Sequence, residues 1–295
     1  MSWHYPKGSL ATATADVSLS PEQAGWQYSG MQIANLSSGN SFELELKGEE
    51  AVILPLSAKD VTVTVNGQEF HMAGRAGVFD QVSDWIYAPV GSNITLSADK
   101  GEVAICTARA TEVFPVVHTP AKDVQVEVRG SGFASRQVTN IATPDSFKGA
   151  HKINICEVIT PGGNVSSWPP HRHDGIEGCA TNNEEIYYFR IGKNDSVHGD
   201  PEGLGLFHVY TVSGSVDETV TIKDGDLYIV PEGYHGPTSA TPEYPMYFLN
   251  VLAGPAAERT MAFCDDPDKH WIRENWNTQT QDPRLPWSSA TPRKR

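Results

Sequence analysis

The residues of this sequence best suited by type and spacing to do chemistry are three histidines and a pair of glutamates. His171 and His173 stand one residue apart in PPHRHD, and His235 closes GDLYIVPEGYHG. Glu184 and Glu185 lie between them and open the run IYYF. Three imidazoles and one carboxylate complete a protein shell for one divalent transition metal. Zn, Mn and Fe all suit that donor set, and about two positions of a six-coordinate ion stay open for a bidentate substrate.

Strands would have to position these groups. Successive side chains of a strand point to opposite faces, so His171 and His173 share a face, about 7 Å apart, while Arg172 points the other way. Glu185 shares a face with Tyr187 and Phe189, and Glu184 with Ile186 and Tyr188. Only one of the two glutamates can therefore face the ion. The corner Pro231-x-Gly233 would turn the chain so that His235 enters the site. A lone His-x-His pair could be two unrelated loop histidines. The added glutamate and the series Gly225, Pro231, Gly233, His235 favour the metal reading.

Helical periodicity is nearly absent from the 295 residues. Strand-like runs such as SFELELKG, VTVTVNGQEF and EVAICTARA recur between Gly, Asn, Asp and Pro turns. That is the pattern of an all-β sandwich or barrel. A second set begins with VQVEVRG and ends with MYFLNVLAG. The stretch GVFDQVSDWIYAPVGSNITL echoes GDLYIVPEGYHG, with Pro89 and Gly91 at the corner but no histidine after it. We therefore expect two similar barrels, 1–122 without metal ligands and 123–270 with them, then a polar tail, 271–295, lying on the surface or on a partner subunit. Exposed sheet edges make a homo-oligomer an expectation as well.

The net charge of −14 argues against sequence-independent nucleic-acid binding and against anionic membrane surfaces. Cys106, Cys156, Cys179 and Cys264 form no C-x-x-C pair and no dense framework. No run approaches the length of a membrane span, and the first residues carry no apolar core of a signal peptide. These features predict a reduced, cytoplasmic, soluble protein with inert thiols, Cys179 alone being a candidate for exposure.

The motifs resemble the cupin family. Its first motif corresponds to Gly163, His171, His173 and Glu185, and its second to Gly225, Pro231, Gly233 and His235. Two departures stand out. The loop DGIEGCATNNE lengthens the gap between His173 and the glutamate, which leaves Glu184 open as the alternative ligand. One residue rather than the commoner two separates Gly233 from His235.

The longer series EVITPGGNVSSWPPHRHD, EEIYYF, GDLYIVPEGYHG and MYFLNVLAGP resembles the 5-deoxy-glucuronate isomerase family of myo-inositol catabolism. The resemblance implies two jelly-roll-like cupin barrels in tandem, with one metal site in the C-terminal barrel. It also implies an aldose–ketose isomerase that converts 5-deoxy-D-glucuronate to 5-dehydro-2-deoxy-D-gluconate through a metal-stabilised enediolate. A 4-deoxy-hexuronate ketol-isomerase, an Fe(II)-dependent dioxygenase and a non-enzymatic sugar-binding bicupin are the alternatives.

A deoxy-uronate needs a cation for its carboxylate and a group to move a proton. Glu157, Tyr187 and His208 are the candidate catalytic groups, Glu157 having the support of a ligand imidazole as its rival role. Arg136, Tyr210, Tyr247 and Asn250 are the candidate substrate contacts. Tyr247 and Asn250 have opposite parity, so a regular strand turns only one of them inward. Arg172 and Arg190 point away from the expected site.

Overall fold

The computed structural model describes residues 3–293, and their regular secondary structure is almost wholly β-strand. Four sheets form two sandwiches. The first joins a six-stranded sheet, which includes Ser29–Ser37, Glu49–Pro55, Trp85–Ala88 and Lys100–Arg109, to a four-stranded one. The second joins a seven-stranded sheet, which includes Asn154–Thr160, Glu184–Ile191, Leu227–Val230 and Met246–Ala253, to a six-stranded one. The sequence dictates this directly. In Lys59–Val65, Val61, Val63 and Val65 are buried while the intervening threonines lie nearer solvent. Asn66 and Gly67 then take left-handed conformations, φ 50° and 83°, and turn the chain into Gln68–Gly74.

The interior of the N-terminal barrel is filled. Leu36, Phe42, Ile53, Val61, Val63, Ile86, Leu96 and Ile105 pack into one apolar cluster, and none of them is a metal-ligating residue. Each such side chain stabilises the fold by about 1.5–3 kcal/mol through burial. The large sheets of the two barrels face one another across a second cluster. It includes Val52, Leu54 and Tyr87 from one side and Ile155, Ile186, Tyr188 and Leu249 from the other. A strand buried on both faces reads as an unbroken apolar run, which is why AVIL and MYFLNVLA show no alternation.

Several expectations are corrected. The strand His4–Tyr5 leaves the N-terminal unit and pairs with Leu227–Tyr228 on the edge of the C-terminal barrel. The change of sheet partners needs no such correction: it lies between Val117–Thr119, which pairs with Trp85–Tyr87, and Gln125–Arg129, which pairs within the second barrel. The tail does more than lie on the surface. Trp287 is 2% exposed and sits in the seam between the barrels, its Nε1 donating to the Phe79 carbonyl at 3.3 Å. Cys179 and Cys264, 85 residues apart, are joined in a disulfide, so the reading of four reduced, inert thiols is wrong for this pair, and Cys179 is buried. Cys106 and Cys156 are free and buried. No helix among the described residues is long and apolar enough to cross a membrane.

Candidate metal centre

Three strands and a short loop deliver the donor groups. His171 begins a two-residue strand, His171–Arg172, that pairs with His235 on one side and Asp265 on the other. His173 follows it, and its Nδ1 is 2.8 Å from the Asn183 carbonyl at the far end of the inserted loop. Glu185 projects from Glu184–Ile191, and His235 from Tyr234–Ala240. The Glu184/Glu185 alternative is resolved by parity. Glu185 Oε2 lies 2.9 Å from His173 Nε2 and 3.1 Å from His235 Nε2. Glu184 points to the other barrel, where it accepts from the backbone N–H groups of Gln27, Tyr28 and Ser29.

The donor atoms of His173, Glu185 and His235 all lie within 4.8 Å of one another, and all three residues are buried. His171 stands beside this cluster without joining it. Its ring centroid is 4.5 Å from that of His235 and 6.4 Å from that of His173. Its Nδ1 is 3.3 Å from the Pro169 carbonyl.

The group fits a divalent metal on the chemistry of its own donors. His235 is fully buried; its Nδ1 has no partner among the described residues, and its Nε2 meets Glu185 Oε2 at 3.1 Å without hydrogen-bond geometry. A buried orphan imidazole is costly unless something else satisfies it. The carbonyl behind His173 fixes its ring in the manner of a metal-ligating histidine. Asn250 Nδ2 donates to Glu185 Oε1 at 2.7 Å and so leaves Oε2 for the histidines.

Electrostatics agree. Burial alone would raise the Glu185 carboxyl, but the charge of His235 and the hydrogen bond from His173 outweigh it and hold the group far below the carboxylate range. Burial likewise opposes protonation of His173, but the Glu185 hydrogen bond and charge prevail and raise it. Burial and neighbouring His235 push His171 well down, so its imidazole is neutral.

The cluster opens into a cavity of about 230 Å³, suited to one small molecule. Its walls include Cys156, Ser167, Tyr187, Asn250 and Phe263. Tyr187, whose hydroxyl is 3.3 Å from Ser167 Oγ, faces this space, as do Asn250 and Arg136.

Four candidates lie elsewhere and are corrected. Glu157 has the opposite parity to Cys156 and Val158 and faces the seam, where it pairs with Arg75 and accepts from the Tyr247 hydroxyl at 2.7 Å. Tyr247 is outside the cavity for the same reason, while its neighbours Phe248 and Asn250 line it. His208 is on the outer face of its sheet, 2.8 Å from Asp217. Tyr210 is on that same face and donates to Asp266. Arg190 bridges the barrels by pairing with Asp224 at 2.8 Å and with Glu102 at 2.5 Å, and Arg172 packs over Tyr234.

Sequence reasoning missed Arg129, Arg273 and Trp276, which also line the cavity. Arg129 had a signal, since it and Arg136 flank the glycine-bearing turn of one hairpin. Arg273 and Trp276 had none, because they come from the segment after the last barrel strand. A surface groove of about 820 Å³ beside Lys59 and Lys100 of the N-terminal barrel shares no lining residue with this cavity.

Two packed β-sandwich barrels, one filled with aliphatic side chains and one opening on a buried His/Glu cluster, define a bicupin. Residues 4–272 match the KduI/IolB family, and the chain belongs to that family. It is 37% identical over 263 residues to a 5-deoxy-glucuronate isomerase of Geobacillus kaustophilus (strain HTA426), covering 88% of this chain and 91% of the relative. It is 35% identical over 252 residues to the enzyme of that name from Listeria monocytogenes serotype 4b (strain F2365), covering 84% of this chain and 88% of the relative. Among solved structures, an IolB-like protein of Salmonella typhimurium LT2 superposes with a TM-score of 0.82 at 30% identity, over 92% of this chain and 99% of the other. A mutant oxalate decarboxylase of Bacillus subtilis superposes with a TM-score of 0.57 at 13% identity, over 84% of this chain and 74% of the other, a likeness of fold alone.

Proposed function

We propose that this chain is an aldose–ketose isomerase that converts 5-deoxy-D-glucuronate into 5-dehydro-2-deoxy-D-gluconate as a step of inositol catabolism. The observation that carries the reading is the His173, Glu185, His235 cluster at an arginine-lined cavity. Relatives across most of the chain bear that enzyme's name.

His173, Glu185 and His235 would hold one divalent ion, Zn, Mn or Fe, with His171 as the adjacent fourth donor. Such an ion supplies Lewis-acid polarisation of a carbonyl and its neighbouring hydroxyl. The reaction moves one proton from the hydroxyl-bearing carbon beside the aldehyde to the aldehyde carbon, and the hydroxyl proton to the aldehyde oxygen. No atom is gained or lost. Asn250 orients Glu185, and the Asn183 carbonyl orients His173. Tyr187 with Ser167 presents hydroxyls to the cavity and serves the substrate oxygens between which a proton must pass. The apolar wall of Val158, Phe248 and Phe263 excludes water from the reacting carbons.

The test is turnover in D₂O with metal analysis of the same sample. One deuterium in the new hydroxymethyl group of the product, with about one metal per chain, is the expected result. Product without solvent deuterium would point to hydride transfer, and activity in protein stripped of metal would remove the metal from the reaction. Offering a 4-deoxy-hexuronate alongside decides between the two deoxy-uronate substrates.

A further inference from the structure

The cavity carries an imbalance of charge that the metal cluster does not use. Arg129 and Arg136 sit directly opposite one another in the hairpin of Gln125–Arg129 and Arg136–Asn140. Like charges across a strand pair are destabilising, so this register favours an anion, and Glu127 on the same strand forms its ion pair with Arg129 only. Arg273 arrives at the same cavity from the C-terminal segment.

Two of the three cations already have partners. Arg129 Nη2 donates to Glu127 Oε1 at 2.7 Å, and Arg273 Nη2 to Asp265 Oδ1 at 2.7 Å. Arg136 forms no ion pair with any described residue. Its Nη1 donates to the Ala134 carbonyl at 3.0 Å, its one side-chain hydrogen bond among the described residues. Its guanidinium lies 5.4 Å from the centroid of the Trp276 ring, and that of Arg273 lies 5.1 Å from the same ring. Burial first, then the charges of Arg129 and Arg273, push Arg136 down to about 9.

The surroundings of this cation are built closely. Gly130 takes φ 75°, and a Cβ there would lie 2.6 Å from Arg136 Nη1. The ring of Trp276 fixes the other side. A planar guanidinium held in place with donors to spare is suited to bidentate binding of a carboxylate.

We propose that Arg136, set on Trp276 and supported by Arg273, is the seat of the substrate's carboxylate, so that the C-terminal segment completes the specificity of the site. The proposal rests on the isomerase reading for the identity of the acid but not for the existence of the seat. It assigns Arg273 and Trp276, which lie outside both barrels, a direct part in choosing acids over neutral sugars.

The test uses the metal-loaded full chain with D-glucuronate and D-glucose as probes, and binding is read by calorimetry independently of turnover. Wild type is expected to bind glucuronate and discriminate against glucose. Arg136→Met should weaken glucuronate binding about thirty- to hundredfold and raise KM for the deoxy-uronate to match, with kcat within a few-fold, while metal content and melting temperature stay unchanged. Arg136→Lys should recover part of the loss, because it restores charge without the fork. Unchanged binding and KM in Arg136→Met, or failure of the wild type to prefer glucuronate, overturns the seat. Turnover with an unchanged KM in that variant sinks the seat and leaves the isomerase standing. Glucuronate binding that depends on Arg136 in a protein without turnover does the reverse.

Discussion

Glu50 and Glu184 occupy the same position in the two barrels and make the same contact in opposite directions. Ala51 pairs with Ala88, just before the Pro89-x-Gly91 corner, and Glu185 pairs with Val230, just before Pro231-x-Gly233. Glu50 accepts from the backbone N–H groups of His151, Lys152 and Ile153 at 2.9, 2.6 and 2.8 Å. Glu184 does the same to Gln27, Tyr28 and Ser29 at 2.7, 2.9 and 2.7 Å. The equivalence also places Ala51 where the second barrel has Glu185, and Asn93 where it has His235. The first barrel therefore has the frame of the site without its donors.

Glu50→Gln should lower stability by about 2–4 kcal/mol, since an amide cannot accept from three N–H groups as a carboxylate does. The loss should appear in thermal melts with metal content unchanged. An unaltered melting curve would mean that the Glu50 contacts contribute nothing to holding the two barrels together.

Glu157 gives a sharp contrast between two roles. Arg75 and Glu157 are 1% and 3% exposed, so Glu157→Gln leaves a buried cation without its partner. A cost of about 3–5 kcal/mol is expected. The kcat of the protein that remains folded should stay within a few-fold of wild type. A loss of several orders of magnitude in kcat would restore Glu157 to the reaction.

Asn250→Leu removes the donor to Glu185 Oε1 and should weaken metal affinity about ten- to hundredfold. Titration against a competing chelator measures this without reference to turnover. His235→Ala should abolish stoichiometric metal outright. If it instead binds metal as tightly as wild type, His173 and Glu185 belong to a different centre.

The Cys179–Cys264 disulfide ties the inserted loop to the segment that carries Phe263 and Arg273. Its removal, by the double Cys→Ser change or by a reductant, should cost about 2–4 kcal/mol. Protease cleavage should then concentrate in residues 174–183 and 260–276. Cleavage confined to other loops would show that the segment is held without the disulfide, by its strand pairing and ion pairs.

Legibility in the sequence followed the physics of parity. The clustering of His173 and His235 with a glutamate, and the place of His171 beside them, was legible because side chains on one face recur at fixed spacing and end at a Pro-Gly corner, whereas the choice between Glu184 and Glu185 was not. Glu157 and Tyr247 were misplaced because Asn154–Thr160 and Met246–Ala253 are buried on both faces, so polarity alternation cannot tell cavity from seam. His208 and Tyr210 shared their outer face with exposed Leu204 and Leu206, which disguised it as an inner one. The disulfide joins residues 85 apart with no motif at either end, so only tertiary contact could reveal it. The switch of His4–Tyr5 to the far barrel was invisible for the same reason.

That short strand has a practical consequence. His4–Tyr5 covers the open border of Leu227–Val230, the strand that runs straight into the Pro231 corner and on to His235. A preparation trimmed of its first six residues would present bare backbone donors and acceptors beside the ligand-bearing corner. Such a border recruits a neighbouring molecule, and clumping of the trimmed protein would go hand in hand with a disturbed third imidazole.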